Sequence, residues 1–339
     1  MQKNELKIGI FEGRELPQSF RVYFYNVVKF LPEFGITPIV FSDSDKIPEH
    51  VNLLWDVRSG GGNPPLAFMV GHAPLVVTVH GFAPITLSGR EYFNSFYGSV
   101  MSPFWAYKKK KAWKCMSNEV AHVIVPSFYT KTEVIKYIGL PEEKVTVCHH
   151  GVQDSFFENE KNTSQRLSYF FHISNNEPRK NVDRVVRAFL RLRQVAQQAE
   201  LVLRLPPDES NRFKNLDGIN IIDKPIELDS LIGYYQKAMG FVFPSLYEGF
   251  GLPILEAMAS GCPVITSDVT ACPEVAGDAA LIVSPRDEDA LFEAMHSIFM
   301  DQALRSTLIN KGIQQAAKFS WRESARKHAD VFHKVCCGE

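Results

Sequence analysis

The sequence predicts two α/β domains, each a parallel, doubly wound sheet. Three observations carry this. The chain has 339 residues, beyond the ~250–300 at which a single hydrophobic core stops growing. Its extended runs are short and apolar throughout, as in Leu75-Val76-Val77-Thr78-Val79, the pattern of strands covered on both faces of a parallel sheet. The stretch from Phe241 to Asp268 reads as one complete βαβ unit: a strand Phe241-Val242-Phe243 closed by Pro244, a loop, a helix from Leu252, and a second extended run Val264-Ile265-Thr266.

The turn inside that unit is suited to an anion. Gly249 and Gly251 permit positive φ and close approach by a ligand. Pro253 fits the first helical position, where a missing N–H costs nothing, and Gly261 with Pro263 stops the helix. The amides of Leu252, Ile254 and Leu255 are then expected to point into a cleft at the carboxyl end of the sheet, where helix dipole and unpaired donors favour a phosphate. Glu248 and Glu256 bracket the site. A carboxylate there repels a phosphate, so its use is to accept hydrogen bonds from sugar hydroxyls. Two of them suit a ligand with a phosphate and two hydroxyl-bearing rings, the shape of a nucleotide sugar. Taken singly, the plainer reading is a solvated loop acid and a first-turn glutamate favoured by the dipole.

Taken whole, Glu248-Gly-Phe-Gly-Leu-Pro-Ile-Leu-Glu256 resembles the E-x7-E motif of retaining GT-B glycosyltransferases of family four. The resemblance continues through Ala257–Val264 and Pro273–Ala280. It implies a GT-B architecture, two Rossmann-like domains facing each other across a cleft. The expected domains are 1–157, binding acceptor; 167–319, binding the nucleotide sugar; and 320–339, a last helix crossing back to the first domain.

In chain order, Lys7–Phe11 reads as the first strand. Relatives place a glycine-rich loop after it, of which Gly13 remains, beside Arg14. A helix follows over roughly Ser19–Phe34, with Val22, Val27, Phe30 and Leu31 broadly on one face. Ile36–Phe41 and Asn52–Trp55 read as strands. Asp43-Ser44-Asp45 is formally a metal-binding D-x-D, but a tripeptide this short is expected to be a polar turn. Arg58–Asn63 reads as a mobile loop at a strand end. The strand Leu75–Val79 delivers His80 to the ligand end of the sheet, and the resemblance implies that His80 touches the donor sugar. His122–Pro126 is a strand, Ser127 caps a helix to Ile138, and Val145–Cys148 closes the first sheet. His149-His150 lacks a third metal ligand.

Gln153–Arg166 is polar and reads as the interdomain linker. After the strand Tyr169–Ile173, the turn Asn176-Glu177-Pro178-Arg179-Lys180-Asn181 matches the E-P-R-K-N of the family. Arg179 and Lys180 supply a bidentate fork and a point charge, the pair a departing diphosphate needs. Leu201–Leu205, Ile219–Ile222 and a helix Leu228–Ala238 follow. The turn from Asp223 to Ile226 stands at the base-binding position of the family, where backbone atoms do the reading. Ser320–Glu323 is a capping box opening the last helix.

Composition narrows the partners. A net charge of −1 gives no basic field for nucleic acid. The six cysteines fit neither zinc nor C-x-x-C spacing and read as reduced thiols. With no signal-peptide h-region and no long apolar run, the expected location is cytoplasmic. From Tyr92 to Lys114, aromatics accompany Lys108-Lys109-Lys110-Lys111, which suits either an anionic membrane surface on the inner face or a helix with one packed and one solvated side.

The resemblance implies transfer of a hexosyl unit, with retention, from a nucleotide sugar such as UDP-glucose to a glycan or lipid-linked saccharide in polysaccharide synthesis. Glu248, His80, Arg179 and Lys180 would be catalytic. Gly13, Ile226, Phe250, Gly251, Leu252, Ile254, Leu255 and Glu256 would hold the donor, with no metal or other cofactor. The alternative is a nucleotide-sugar-binding subunit without turnover.

Overall fold

The computed structural model describes residues 5–12, 16–42, 46–158, 167–175 and 177–338. Gly13, Arg14, Asp43-Ser44-Asp45, Asn176 and residues 159–166 of the expected linker lie outside the described residues. The chain forms two compact units. One comprises Met1–Gly89, Val100–Gly151 and Phe319–Glu339, and the other Arg90–Ser99 and Val152–Lys318. Residues 90–99, expected in the first domain, thus group with the second unit, and the second unit begins at Val152.

The first unit is a six-stranded parallel sheet in the order β2-β1-β3-β4-β5-β6. Its strands are β1 (Leu6–Phe11), β2 (Ile36–Phe41), β3 (Leu53–Ser59), β4 (Leu75–Val79), β5 (Val120–Val125) and β6 (Val145–Val147). All five pairings are parallel. β3 runs four residues past the expected end at Trp55, because Asp56 and Val57 are buried as strand residues rather than loop. The expected first helix ends at Phe30; Pro32 tightens the rest into a 3₁₀ turn, Leu31–Phe34, stopped by left-handed Gly35.

The last helix, Trp321–Cys337, packs on this unit. Ser320 caps it by accepting from the Glu323 amide at 3.0 Å. The reciprocal half of the capping box is replaced, since the Glu323 carboxylate pairs with Arg326. Gly151 meets this helix start so closely that a Cβ would lie 2.1 Å from the Trp321 nitrogen.

Inside the same unit a directional hydrogen-bond chain joins helix and sheet. His328 Nδ1 lies 2.7 Å from the Ser324 carbonyl, which only accepts, so Nδ1 carries the proton and Nε2 the lone pair. Tyr23 Oη therefore donates to His328 Nε2 (2.7 Å), Thr78 Oγ1 donates to Tyr23 (2.9 Å), and the Trp55 indole donates to Thr78 (2.9 Å). Every member is buried.

The second unit is also a six-stranded parallel sheet, ordered β12-β11-β10-β7-β8-β9. Its strands are β7 (Tyr169–Ile173), β8 (Glu200–Arg204), β9 (Ile219–Ile222), β10 (Gly240–Phe243), β11 (Val264–Ser267) and β12 (Leu281–Val283). Its core is packed by the helix Val182–Val195, whose Val185, Phe189 and Leu192 are fully buried at helical spacing. Strand order reverses between β7 and β10, and ligands of such sheets bind at that reversal, beyond the strand carboxyl ends. Among the described residues no helix is long and apolar enough to cross a membrane.

Burial sets a pH dependence. Desolvation lowers the pKa of His80, His172 and His328 to about 4. Because the folded values lie below the unfolded one, the neutral form is favoured on folding. This stability is present above pH ~6.5 and is lost as pH falls toward 4, at up to about 1.4 kcal/mol per pH unit for each histidine. The urea midpoint is therefore expected to drop between pH 7 and pH 5, by about 2–4 kcal/mol in stability after opposing carboxyl contributions. A flat profile over that range would show these histidines to be solvated.

Candidate active site

At the reversal in the second unit, three βα turns are sewn together by one side chain. Asn181 ends the 3₁₀ turn Pro178–Lys180 in a left-handed conformation (φ 64°) and is buried. Its amide donates to the Pro244 carbonyl after β10 (2.9 Å) and to the Pro285 carbonyl after β12 (2.7 Å). Its Oδ1 accepts from Arg184 at 2.7 Å, so its orientation is set by its partners. Backbone bonds add to this: Leu246 N donates to Arg179 O at 2.7 Å.

Glu248, 8% exposed, sits among cations. Its Oε1 accepts from Lys180 Nζ at 2.7 Å and from Arg179 Nη1 at 3.3 Å. Thr270, another left-handed residue (φ 60°), accepts from the Glu248 amide at 3.0 Å, and the Ala271 amide donates to Glu248 O. Burial pushes the Glu248 carboxyl upward, but Lys180 and Arg179 outweigh it and hold the group ionised, below its usual range. Burial, aided by Arg179, lowers Lys180 while Glu248 opposes it. Arg179 also donates to the Tyr247 carbonyl (2.9 Å) and pairs with Glu177. The turn therefore carries two cations and two carboxylates.

The helix Leu252–Ala259 starts one residue before Pro253, which takes the second position rather than the first. Gly251 precedes it at φ 109°, where a Cβ would also approach Ile254 Cδ1 to 3.0 Å. Ile254 is a correction: its amide donates to the Gly251 carbonyl at 3.0 Å and is not left for a ligand. Phe250 and Leu255 are buried beside this helix start. Glu256 accepts from Tyr235 Oη at 3.2 Å, and burial raises its pKa to about 7, with Tyr235 opposing. Burial thus favours its protonated form, whereas sequence reading treats it as a ready anion. Ile226 follows β9, the edge strand two places from β7.

His80 belongs to the other unit, just past β4. Nε2 donates to the Val57 carbonyl (2.9 Å), so Nδ1 is the free lone pair. Its ring stacks on Phe20 at 4.0 Å and meets Tyr23 edge-on. The expected mobile loop Arg58–Asn63 is instead pinned: Lys109 Nζ donates to Gly61 O (2.6 Å), Trp113 Nε1 to Gly62 O (3.1 Å), and Gly62 N to Gly81 O (3.0 Å). His150 is buried and stacked on Trp321. No group of three metal-ligating side chains occurs among the described residues.

The structure brings Arg179, Lys180 and Glu248 together and adds Thr270 and Tyr235, which sequence reading passed over, with Glu177 and Asn181, which it named only as part of the turn motif. For Asn181 a signal existed, since Asn after a short turn is a usual left-handed residue. Thr270 and Tyr235 come from distant segments and had none.

Two wound parallel sheets, one carrying a cation–carboxylate cluster at its strand-order reversal, define the GT-B fold class. A family model described as "Glycosyl transferases group 1" matches residues 168–301, and one described as "Glycosyltransferase Family 4" matches 58–156. The chain belongs to these group 1, family-four glycosyltransferases. O-antigen chain mannosyltransferase B of Escherichia coli is 29% identical over 232 residues, 62% of this chain and 60% of that protein. O-antigen chain mannosyltransferase RfbU of Salmonella typhimurium is 26% identical over 279 residues, 77% of this chain and 75% of that one. Anabaena HepE, solved in complex with UDP and glucose, shares the fold with a TM-score of 0.71 at 16% identity, over 96% of this chain and 99% of that one.

Replacing Asn181 with Gly, which keeps φ > 0 available, is expected to leave two buried carbonyls without donors and to destabilise the protein by about 2–5 kcal/mol. Denaturant unfolding reads this. A loss under about 1 kcal/mol would mean that other donors replace the side chain.

Proposed function

We propose that the chain transfers a hexosyl unit from a nucleotide sugar to a hydroxyl of a glycan or lipid-linked saccharide, with retention and without a metal, on the cytoplasmic side in polysaccharide synthesis. The observation that carries this is the Arg179–Lys180 pair held at the strand-order reversal against Glu248. The barrier in such a transfer is departure of the diphosphate from an oxocarbenium-like centre. Two half-buried cations, with the dipole of the helix from Leu252, stabilise that developing charge, as a metal otherwise would. Glu248, already ionised, accepts hydroxyls of the sugar ring, and Glu256 those of the ribose. His80 offers Nδ1, neutral at pH 7, to a sugar hydroxyl.

For the donor we infer a UDP-sugar, a base that HepE was solved with. The names of both relatives make mannose the first sugar to test beside glucose. A thermal-shift comparison of UDP-glucose, UDP, GDP-mannose and GDP decides it, since a ligand at a hundred times its Kd adds ~2.7 kcal/mol. Product formation with the stabilising sugar then tests turnover. Binding without turnover in the presence of membrane-derived acceptors would favour the subunit reading.

Glu256→Ala is expected to weaken nucleoside diphosphate binding by roughly 1.5–3 kcal/mol, the worth of a hydrogen bond to a charged acceptor. Glu248→Ala is expected to leave that affinity unchanged or raised, because Arg179 and Lys180 lose their neutralising partner, while turnover falls sharply. Calorimetry with the bare nucleotide separates them, and equal behaviour would refute one carboxylate per ring.

Lys180→Ala is expected to lower kcat more than it raises the donor KM, since charge builds on the diphosphate mostly in the transition state. Chelation by EDTA is expected to leave the rate unaltered. Loss of activity restored by Mn²⁺ would return Asp43-Ser44-Asp45 to consideration.

A further inference from the structure

The helix Phe96–Met116 presents two unlike faces from Val100 onward. Its inner face is committed to the first unit. Trp113 is fully buried, Lys109 holds the Gly61 carbonyl, and Lys110 lies over the Tyr137 ring at 4.7 Å. The outer face is not the polar surface such a helix usually shows. Val100, Phe104 and Tyr107 are 60%, 47% and 64% exposed, and Lys108, Lys111 and Lys114 are exposed with them. Positions 100 and 104, the adjacent pair 107 and 108, then 111 and 114 follow one another at steps of three or four, so they form one stripe.

The stripe is graded along its length. Apolar side chains occupy its first half and ammonium groups its second. Lys108 Nζ lies 4.6 Å from the Phe104 ring centroid, where it covers a ring otherwise facing water. Between Phe96 and Met116 the sequence has no acidic residue, and Lys111 and Lys114 take part in no ion pair among the described residues. Three unneutralised cations beside exposed rings match the boundary of an anionic bilayer. There the rings sit at headgroup depth and lysine stems lie along them with their charges on the phosphates. An acidic protein would be met by the lysines, leaving the rings unexplained.

We propose that this outer face docks the chain on the surface of an anionic lipid bilayer. Docking needs neither donor nor acceptor, so it stands or falls apart from the transfer reaction. The structure also selects the variants. Lys109 and Lys110 are left in place because the fold uses them, and the changes are Lys108→Gln/Lys111→Gln/Lys114→Gln together and Phe104→Ser/Tyr107→Ser together.

The test is co-sedimentation of the full chain with vesicles of phosphatidylcholine alone or with 30% phosphatidylglycerol, at about 50 mM and 500 mM NaCl. Binding is expected only to the anionic vesicles and to weaken at high salt. The triple lysine variant is expected to bind about 100-fold more weakly, roughly five-fold per lysine. The serine pair is expected to lose binding while keeping charge, with unchanged thermal midpoints showing both variants folded. Absence of binding to anionic vesicles, or binding by both variants as tight as that of the unaltered chain, overturns the proposal. So does self-association in sedimentation velocity that the serine pair abolishes without any vesicle binding, which would assign the face to a second copy.

Discussion

The second unit depends on Asn181. A parallel sheet brings the turns after β7, β10 and β12 to one end, but nothing in the strand ladders fixes how those turns lie against one another. One carboxamide does so, with both N–H groups spent on Pro244 and Pro285 and its oxygen on Arg184. Its left-handed backbone turns the chain out of the 3₁₀ segment and into the helix Val182–Val195. Arg179 and Lys180 directly precede it, so the cations inherit their position from a neutral neighbour. Under the proposed transfer, rigidity at this point would let the charges act without rearranging as the leaving group's charge develops.

The charges themselves are balanced rather than bare. Two half-buried cations side by side repel and are costly to desolvate, and Glu248 offsets both. That makes the resting cluster stable. Glu256 is treated differently by the fold. Without a cation beside it, burial alone lifts its pKa to about 7, so hydroxyl donors from a ligand would draw it into the ionised form. Two carboxylates eight positions apart thus acquire opposite perturbations from their surroundings.

The first unit obtains comparable rigidity from neutral groups. The relay from Trp55 through Thr78 and Tyr23 to His328 closes only because burial keeps His328 uncharged. His80 packs against the same Tyr23 and against Phe20, and Phe20 in turn needs Gly60, where a Cβ would come within 2.5 Å of the ring. With Lys109 and Trp113 holding Gly61 and Gly62, a three-glycine loop becomes a fixed wall.

What the sequence by itself determined was whatever depends on neighbours along the chain. Eleven of the twelve strands found among the described residues follow from short apolar runs, β12 (Leu281–Val283) having gone unread, the caps follow from Ser127 and Ser320, and the family from the unbroken motif Glu248–Glu256. Placement of Arg179 and Lys180 at a βα turn was legible for the same reason. Tertiary structure decided what depends on partners remote in the chain. Glycines read as mobility until Lys109 and Trp113, some fifty positions later, are seen to bind them. Ile254 lost its free amide to the conformation of Gly251. The ionisation of Glu248 and Glu256 was set by Lys180 in one case and by plain burial in the other. Hydrophobic period and capping act over a few residues, so they are written locally. Desolvation and the pairing of charges belong to three-dimensional surroundings, which no stretch of sequence contains by itself.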